Sequence, residues 1–304
     1  MTSSASTTNW PAFFLIGAPK CGTTSLAAWL SAHPDIHMSD PKEPDYYAPD
    51  VASSIEATTP KAYGALFADA RPGQLCGEAS TTYLRSVQAV PAILRDVPEA
   101  RFIVCLRPPV DLALSVHGQL VRTGREPEAD FARAWALQET RRAAPAKRQP
   151  DHNPADQLYA DMARLGAQVE RLLDHAARDR VLFLLLEDMQ RDAGAAYRTV
   201  LDHIGVADDG RQEFPVLNER RAPRSQSLAR LTHAAGALRR RIGVQQGLGL
   251  GRLVNRANET TPKAAGPDPA LRAEMEDAFR TDIALLAQLT GRDLGHWPEQ
   301  GRAA

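Results

Sequence analysis

Cysteine is scarce in this chain: three in 304 residues, at Cys21, Cys76 and Cys105. An odd count without metal-type spacing argues against a disulfide framework and against a cysteine-ligated metal, and it favours a reducing compartment. Long apolar runs are missing too. No stretch nears the roughly 18 apolar residues of a spanning helix. Met1 to Asn9 is rich in Ser and Thr and lacks both the basic region and the apolar stretch of a secretory leader. Net charge is also nearly nil, with 36 Lys plus Arg against 37 Asp plus Glu, so there is no broad basic surface for nucleic acid. These absences lead us to expect a cytoplasmic protein without nucleic acid or membrane as partner. They leave the oligomeric state open.

What is present is ordinary globular material, 43% hydrophobic and 24% charged. Short apolar runs alternate with amphipathic stretches and no repeat is visible. Ala12 to Gly17 (AFFLIG), Arg101 to Leu106 (RFIVCL) and Val181 to Leu186 (VLFLLL) read as buried strands, with shorter ones at Ile36 to Met38 and Leu75 to Glu78. Helices are expected over Thr23 to Ala32, Val110 to Arg122, Asp156 to Ala177, Ala193 to Ile204 and Pro269 to Leu289. The last carries Leu271, Met275, Phe279, Ile283, Leu286 and Leu289 on one stripe. Asp40 to Pro49, rich in proline, is a loop. The expectation is an α/β fold of three layers, P-loop-like, with a central parallel sheet flanked by helices. One domain should span 10–298, with flexible termini at 1–9 and 299–304. Ligands of such sheets bind at the carboxyl ends of the strands, which points to Gly17–Thr24 and Arg107–Ser115.

Gly17-Ala18-Pro19-Lys20-Cys21-Gly22-Thr23-Thr24 follows a strand and opens a helix, the setting in which backbone N–H groups cradle an anion. It departs from the nucleotide loop G-x-x-x-x-G-K-[ST] because Thr23 stands where the lysine belongs, and Lys20 comes earlier. The late lysine serves the β- and γ-phosphates of a nucleoside triphosphate. A loop without it suits a shorter group, with Lys20 placed to stabilise charge on a leaving phosphate. Arg107-Pro108-Pro109 ends a second strand, opens a helix bearing Ser115, and offers a planar donor pair to another phosphate.

Together these segments resemble the sulfotransferase family that uses 3′-phosphoadenosine 5′-phosphosulfate (PAPS), with the carbohydrate (heparan sulfate type) and bacterial branch the most similar. Lys42-Glu43-Pro44-Asp45-Tyr46-Tyr47, Gly77-Glu78-Ala79-Ser80-Thr81-Thr82-Tyr83-Leu84, Leu185-Leu186-Glu187-Asp188-Met189 and Leu289-Thr290-Gly291-Arg292-Asp293-Leu294 extend the likeness from about Phe14 to Trp297. The resemblance implies that Pro19, Lys20, Cys21, Gly22, Thr23, Thr24 and Ser25 hold the 5′-phosphosulfate, and that Arg107 and Ser115 hold the 3′-phosphate. Glu43 falls at the general base of the carbohydrate branch, Lys20 stabilises the leaving 3′,5′-ADP, and His117 is the rival base. Lys263 is a candidate for a loop closing on the nucleotide. The arginine-rich stretch Asn218 to Arg241 reads as a flap, an acidic-acceptor site or a solvated helix face. The acceptor implied is a small molecule or carbohydrate offering a hydroxyl or amine. No cluster of metal-ligand type is present.

There are departures. Ala79 stands where a lysine is frequent, Leu112 where an arginine is, and Tyr46-Tyr47 where the branch has Phe-Phe. Two other readings stay open at this point. One is a P-loop kinase or NTPase with Glu187 or Asp188 on Mg²⁺, and the other is a nucleotide-binding protein without catalysis.

Overall fold

The computed structural model describes residues 10–53, 55–148, 152–217, 222–223, 259–260 and 267–297. Arg220, Arg221, Arg224, Arg230, Arg239 to Arg241 and Lys263 fall outside the described residues, as do both expected flexible termini.

Five strands form one all-parallel sheet: β1 (Phe13–Gly17), β2 (Ile36–Met38), β3 (Leu75–Ala79), β4 (Arg101–Leu106) and β5 (Val181–Leu185), in the order β2-β3-β1-β4-β5. β1 is central and every residue in it is buried, which is why it reads as an unbroken apolar run. Register is fixed partly by size. Gly77 faces Phe13, and a Cβ on Gly77 would lie 2.1 Å from the Phe13 ring. The chain winds from β1 to β2 and β3 on one side and then crosses to β4 on the other. The crevice at that reversal is where such sheets bind ligands.

Helices flank the sheet, and the first described ones are α1 (Thr23–Ser31), α2 (Pro60–Ala65), α3 (Ala89–Asp96) and α4 (Pro109–Arg122). Then come α5 (Phe131–Ala136), α6 (Gln138–Ala143), α7 (Tyr159–Ala163), α8 (Leu165–Leu173), α9 (Leu186–Arg191) and α10 (Ala193–Ile204). A two-residue strand pair, β6 (Ala222–Pro223) with β7 (Glu259–Thr260), precedes α11 (Pro269–Thr290). Met275, Phe279 and Leu286 of α11 are buried, as the stripe requires.

The long helix expected over Asp156 to Ala177 is three pieces: a 3₁₀ turn at Pro154–Gln157, then α7 and α8. The breaks fall at Leu158 and Arg164, both with ψ near 75° (79° and 74°). Partners for the freed backbone groups come from elsewhere. The Gln168 amide donates to the carbonyls of Asp161 and Met162. The carboxylate of Asp282, on α11, accepts the Gly166 and Ala167 N–H groups at 2.8 and 2.9 Å, capping α8 from another helix. Only glycine fits position 166, since a Cβ there would lie 2.3 Å from the Asp282 carbonyl oxygen. No helix among the described residues is long and apolar enough to cross a membrane.

Candidate functional site

The loop after β1 carries the first half of the site. Gly22 sits at the N-cap of α1 with φ 87°, and the helix start receives no side-chain cap. Its first-turn amides are therefore left to an outside acceptor. Lys20 adopts φ 64°, a left-handed conformation uncommon for a residue with a side chain. Arg107, at the end of β4, donates from Nη1 to the Lys20 carbonyl oxygen at 3.1 Å, and the Ala18 N–H donates to the Cys105 carbonyl at 2.7 Å. The two loops are thus stitched side by side. The pKa of Lys20 is held below the usual lysine value, first by burial and then by Arg122 and Arg107, with Glu43 opposing. Lys20 thus feels the positive charge of Arg122 and Arg107, and an anion beside it would be favoured.

Other members of the loop point elsewhere. The Cys21 side chain is fully buried, and burial pushes its thiol up to about 12, so only its backbone is free to meet a ligand. Thr23 is buried while Thr24 is half-exposed. The Ser25 hydroxyl is bonded both ways to the Leu217 backbone, accepting its N–H at 2.9 Å and donating to its carbonyl at 3.3 Å. The Trp29 indole donates to the Pro215 carbonyl at 3.0 Å. Residues 215–217 thus lie along α1, and Ser25 holds them rather than facing an open pocket. Ser115 is partly exposed on α4.

The second half is the loop after β2. Glu43 (φ 62°) and Asp45 (φ 53°) are left-handed on either side of Pro44. The loop is pinned to the end of β3 because the Glu43 N–H donates to the Ala79 carbonyl at 3.0 Å. Oε1 of Glu43 takes the Lys42 ammonium at 2.7 Å and the Thr81 hydroxyl at 3.0 Å. Asp45 is buried, with its N–H on Ser80 Oγ at 3.1 Å and the Thr82 hydroxyl on Oδ1 at 2.6 Å. Behind them Glu78 is wholly buried and accepts Tyr63 OH at 2.5 Å and Tyr83 OH at 2.9 Å. Burial pushes the Glu78 carboxyl up to about 7.

The two loops enclose a cleft of about 380 Å³ that Lys20, Lys42, Glu43, Asp45, Arg85 and Arg125 help to line. Val116, Leu120 and Met162 supply an apolar wall. The structure therefore brings Lys20 and Glu43 to one cavity, with Arg107 at its edge through Lys20. His117 goes elsewhere. Its Nε2 lies 2.9 Å from the Glu128 carbonyl oxygen, and its ring sits edge-on to Phe131 and Tyr159. Among the described residues no group of metal-ligand type occurs.

Asp45, Thr82, Arg85 and Arg125 were not singled out from sequence. Asp45 and Thr82 lie inside quoted motifs, yet nothing in the spacing separates them from their neighbours. Glu187 and Asp188, the carboxylates an NTPase would lend to Mg²⁺, are engaged with the segment after α11. Glu187 meets His296 at 2.6 Å and Trp297 at 3.1 Å, and Asp188 pairs with Arg191 and Arg292.

Comparison with known proteins gives concordant results. Residues 11–210 match the model of the sulfotransferase family. A membrane-associated sulfotransferase of Dictyostelium discoideum is 30% identical over 127 residues, 40% of this chain and 26% of that protein. The chain thus aligns with about a quarter of that relative's length. A sulfotransferase structure from Alicyclobacillus acidocaldarius is 27% identical with a TM-score of 0.68, covering 95% of this chain and 98% of that one. A mouse sulfotransferase complexed with PAP shares the fold, with 14% identity and a TM-score of 0.52 over 97% of this chain and 89% of that one.

Proposed function

We propose, from the premise that this chain belongs to the sulfotransferase family, that it carries a sulfuryl group from PAPS to a hydroxyl or amine of a small-molecule or carbohydrate acceptor. The observation that carries this reading is the hydrogen bond from Arg107 to the Lys20 carbonyl. It sets a strand-end guanidinium beside the β1 loop, so one ligand with two separated anionic groups can reach both. The residues fit such a ligand: the start of α1 has no side-chain cap, and Lys20 feels the positive charge of Arg107 and Arg122, which an anion there would offset.

PAPS supplies an activated sulfuryl group. Pro19 to Thr24 cradle its phosphosulfate end, and Arg107 with Ser115 takes the 3′-phosphate. Ser25 contributes only if it releases Leu217. Lys20 faces the leaving phosphate and offsets the charge that builds there. Glu43 accepts the acceptor's proton at a carboxylate oxygen, a role worth roughly 10²–10⁴-fold. Lys42 and Thr81 fix that carboxylate in place. The apolar wall of Val116, Leu120 and Met162 packs against the acceptor and limits water. Residues 10–298 act as one sulfotransferase domain in this reading. Three buried free cysteines suit the reducing cytoplasm.

The test is calorimetric titration with 3′,5′-ADP and, separately, with ATP and Mg²⁺, followed by a mass-spectrometric search for sulfo-group gain in a cell extract incubated with PAPS. Tight 3′,5′-ADP binding and a sulfated product are expected. A blank with 3′,5′-ADP ends the proposal. Binding without any product over a broad acceptor panel favours a nucleotide-binding protein without catalysis.

A further inference from the structure

The mechanism above leaves three carboxylates of the cleft unused, Asp45, Glu56 and Asp156, and of these Asp45 is the one on the Glu43 loop. We propose that Asp45 is a positioning residue for transfer: its negative charge, set beside Glu43 on the cleft wall, helps draw the proton off the acceptor. This rests on the sulfotransferase reading and adds a residue to it.

The loop is built to place both carboxylates. Left-handed backbone at Glu43 and again at Asp45 brackets Pro44, a conformation that side-chain-bearing residues hold only when their surroundings enforce it. Here the enforcement is explicit, with Glu43 N–H on Ala79, Asp45 N–H on Ser80 Oγ, and Thr82 on Asp45 Oδ1. Both residues line the cleft. The Asp45 carboxylate is held by the Thr82 hydroxyl and also meets the Ser80 side chain, and Asp45 forms part of the cleft wall.

Electrostatics gives the arrangement its consequence. Burial pushes the Asp45 carboxyl up to about 6, against the Thr82 hydrogen bond and with a further upward push from Glu43. The charged groups around it are Lys42 and Glu43 on its own loop, Glu78 behind it on β3, and Lys20, Glu56, Arg85, Arg125 and Asp156 around the cleft. When ionised, Asp45 adds a negative charge beside Glu43 on the cleft wall, where the Lys42 ammonium already sits 2.7 Å from Glu43, and that charge favours arrival of the acceptor's proton. Once Asp45 is protonated, that contribution is lost. The step balances. The acceptor O–H bond breaks and its proton passes to Glu43. The acceptor oxygen bonds to sulfur, and the bond from sulfur to the bridging phosphate oxygen breaks, its electron pair leaving on 3′,5′-ADP. Water removes the proton between turnovers.

The experiment has two arms. The first measures kcat/KM against pH, with PAPS and the acceptor found by mass spectrometry, for wild type, Asp45→Asn and Asp45→Glu. Wild type should lose activity on the acid side with a midpoint near 6, following Asp45. Asp45→Asn should lower kcat about tenfold at neutral pH and move the acid limb downward, with 3′,5′-ADP affinity retained. Asp45→Glu should restore the limb. A profile for Asp45→Asn that superimposes on wild type overturns the proposal. The second arm needs no acceptor: carbon-13 NMR of labelled aspartate carboxyls in the 3′,5′-ADP complex. The Asp45 signal should titrate near 6 in wild type and lower in Glu43→Gln, because a like charge has been removed. A wild-type signal in the ordinary aspartate range, or one that Glu43→Gln leaves in place, overturns the proposal. Failure of the sulfotransferase reading itself looks different, as absence of 3′,5′-ADP binding and of product.

Discussion

The Arg107 guanidinium donates to the backbone carbonyl of Lys20 at 3.1 Å, across 87 residues of sequence. The contact ties the loop after β1 to the residue that follows β4. Arg107 also pairs with Asp111 four residues on, at 4.0 Å.

Lys20→Ala should abolish measurable transfer, because no other lysine of the β1 loop can replace it. Arg107→Ala should weaken 3′,5′-ADP binding by about 2–3 kcal/mol, the scale of a lost charge-assisted pair, and should also loosen the Lys20 loop. Calorimetry and initial rates measure both. Unchanged affinity in Arg107→Ala would remove it from the binding site.

Glu43→Gln keeps the shape of the side chain and its contact with Thr81, but it loses the proton acceptor. Turnover should fall by roughly 10²–10⁴-fold while 3′,5′-ADP affinity stays near wild type. Rapid-quench assays and calorimetry on the same preparation check the pair of outcomes.

His117→Ala should act on stability. The ring bonds the Glu128 carbonyl and packs against Phe131 and Tyr159, so truncation should cost about 2–4 kcal/mol in urea denaturation. Turnover per folded molecule should hold. A collapse of kcat with an unaltered urea midpoint would reinstate His117 as the base.

Acidity gives another prediction. In the folded chain the carboxyls of Asp45 and Glu78 are pushed up to about 6 and about 7, above their ordinary values of 3.8 and 4.5. Between those limits the folded state binds more protons than the unfolded chain, so these two groups lower stability as pH rises from about 4 to about 7. Asp45→Asn keeps an oxygen for Thr82 and removes one of the two penalties. It should therefore gain about 1–3 kcal/mol over wild type at pH 8 and much less at pH 4. Paired urea titrations at both pH values read the difference.

Asp282→Ala tests the cap that reaches α8 from α11. Removing the carboxylate strips partners from the Gly166 and Ala167 N–H groups. A loss of about 1–2 kcal/mol is expected, visible as a lower urea midpoint with 3′,5′-ADP affinity intact.

The chain order of apolar runs was enough to place all five strands of the parallel sheet, to within about two residues at each end. Buried strands of a parallel sheet are apolar on both faces and so announce themselves locally. The β1 loop was equally legible, because a glycine is favoured at position 22, where the strand turns into α1 with φ 87°. The single helix expected over Asp156 to Ala177 failed for the opposite reason. Its break at Leu158 is met by Gln138, whose side chain accepts the Ala160 N–H, and its break at Arg164 by Asp282, more than a hundred residues away, and no local pattern encodes those partners.

The amino-acid order alone determined the fold class, the glycine loop after β1 with its early lysine, and the strand-end arginine, since each depends on neighbours in the chain. Tertiary structure decided which side chains share the cleft. It brought Glu43 and Asp45 to the wall facing Lys20, turned His117 onto the Glu128 carbonyl, and tied Ser25 to Leu217. Those outcomes depend on burial and on hydrogen bonds between distant segments. Burial and charge then act together, and they push the Asp45 carboxyl up to about 6.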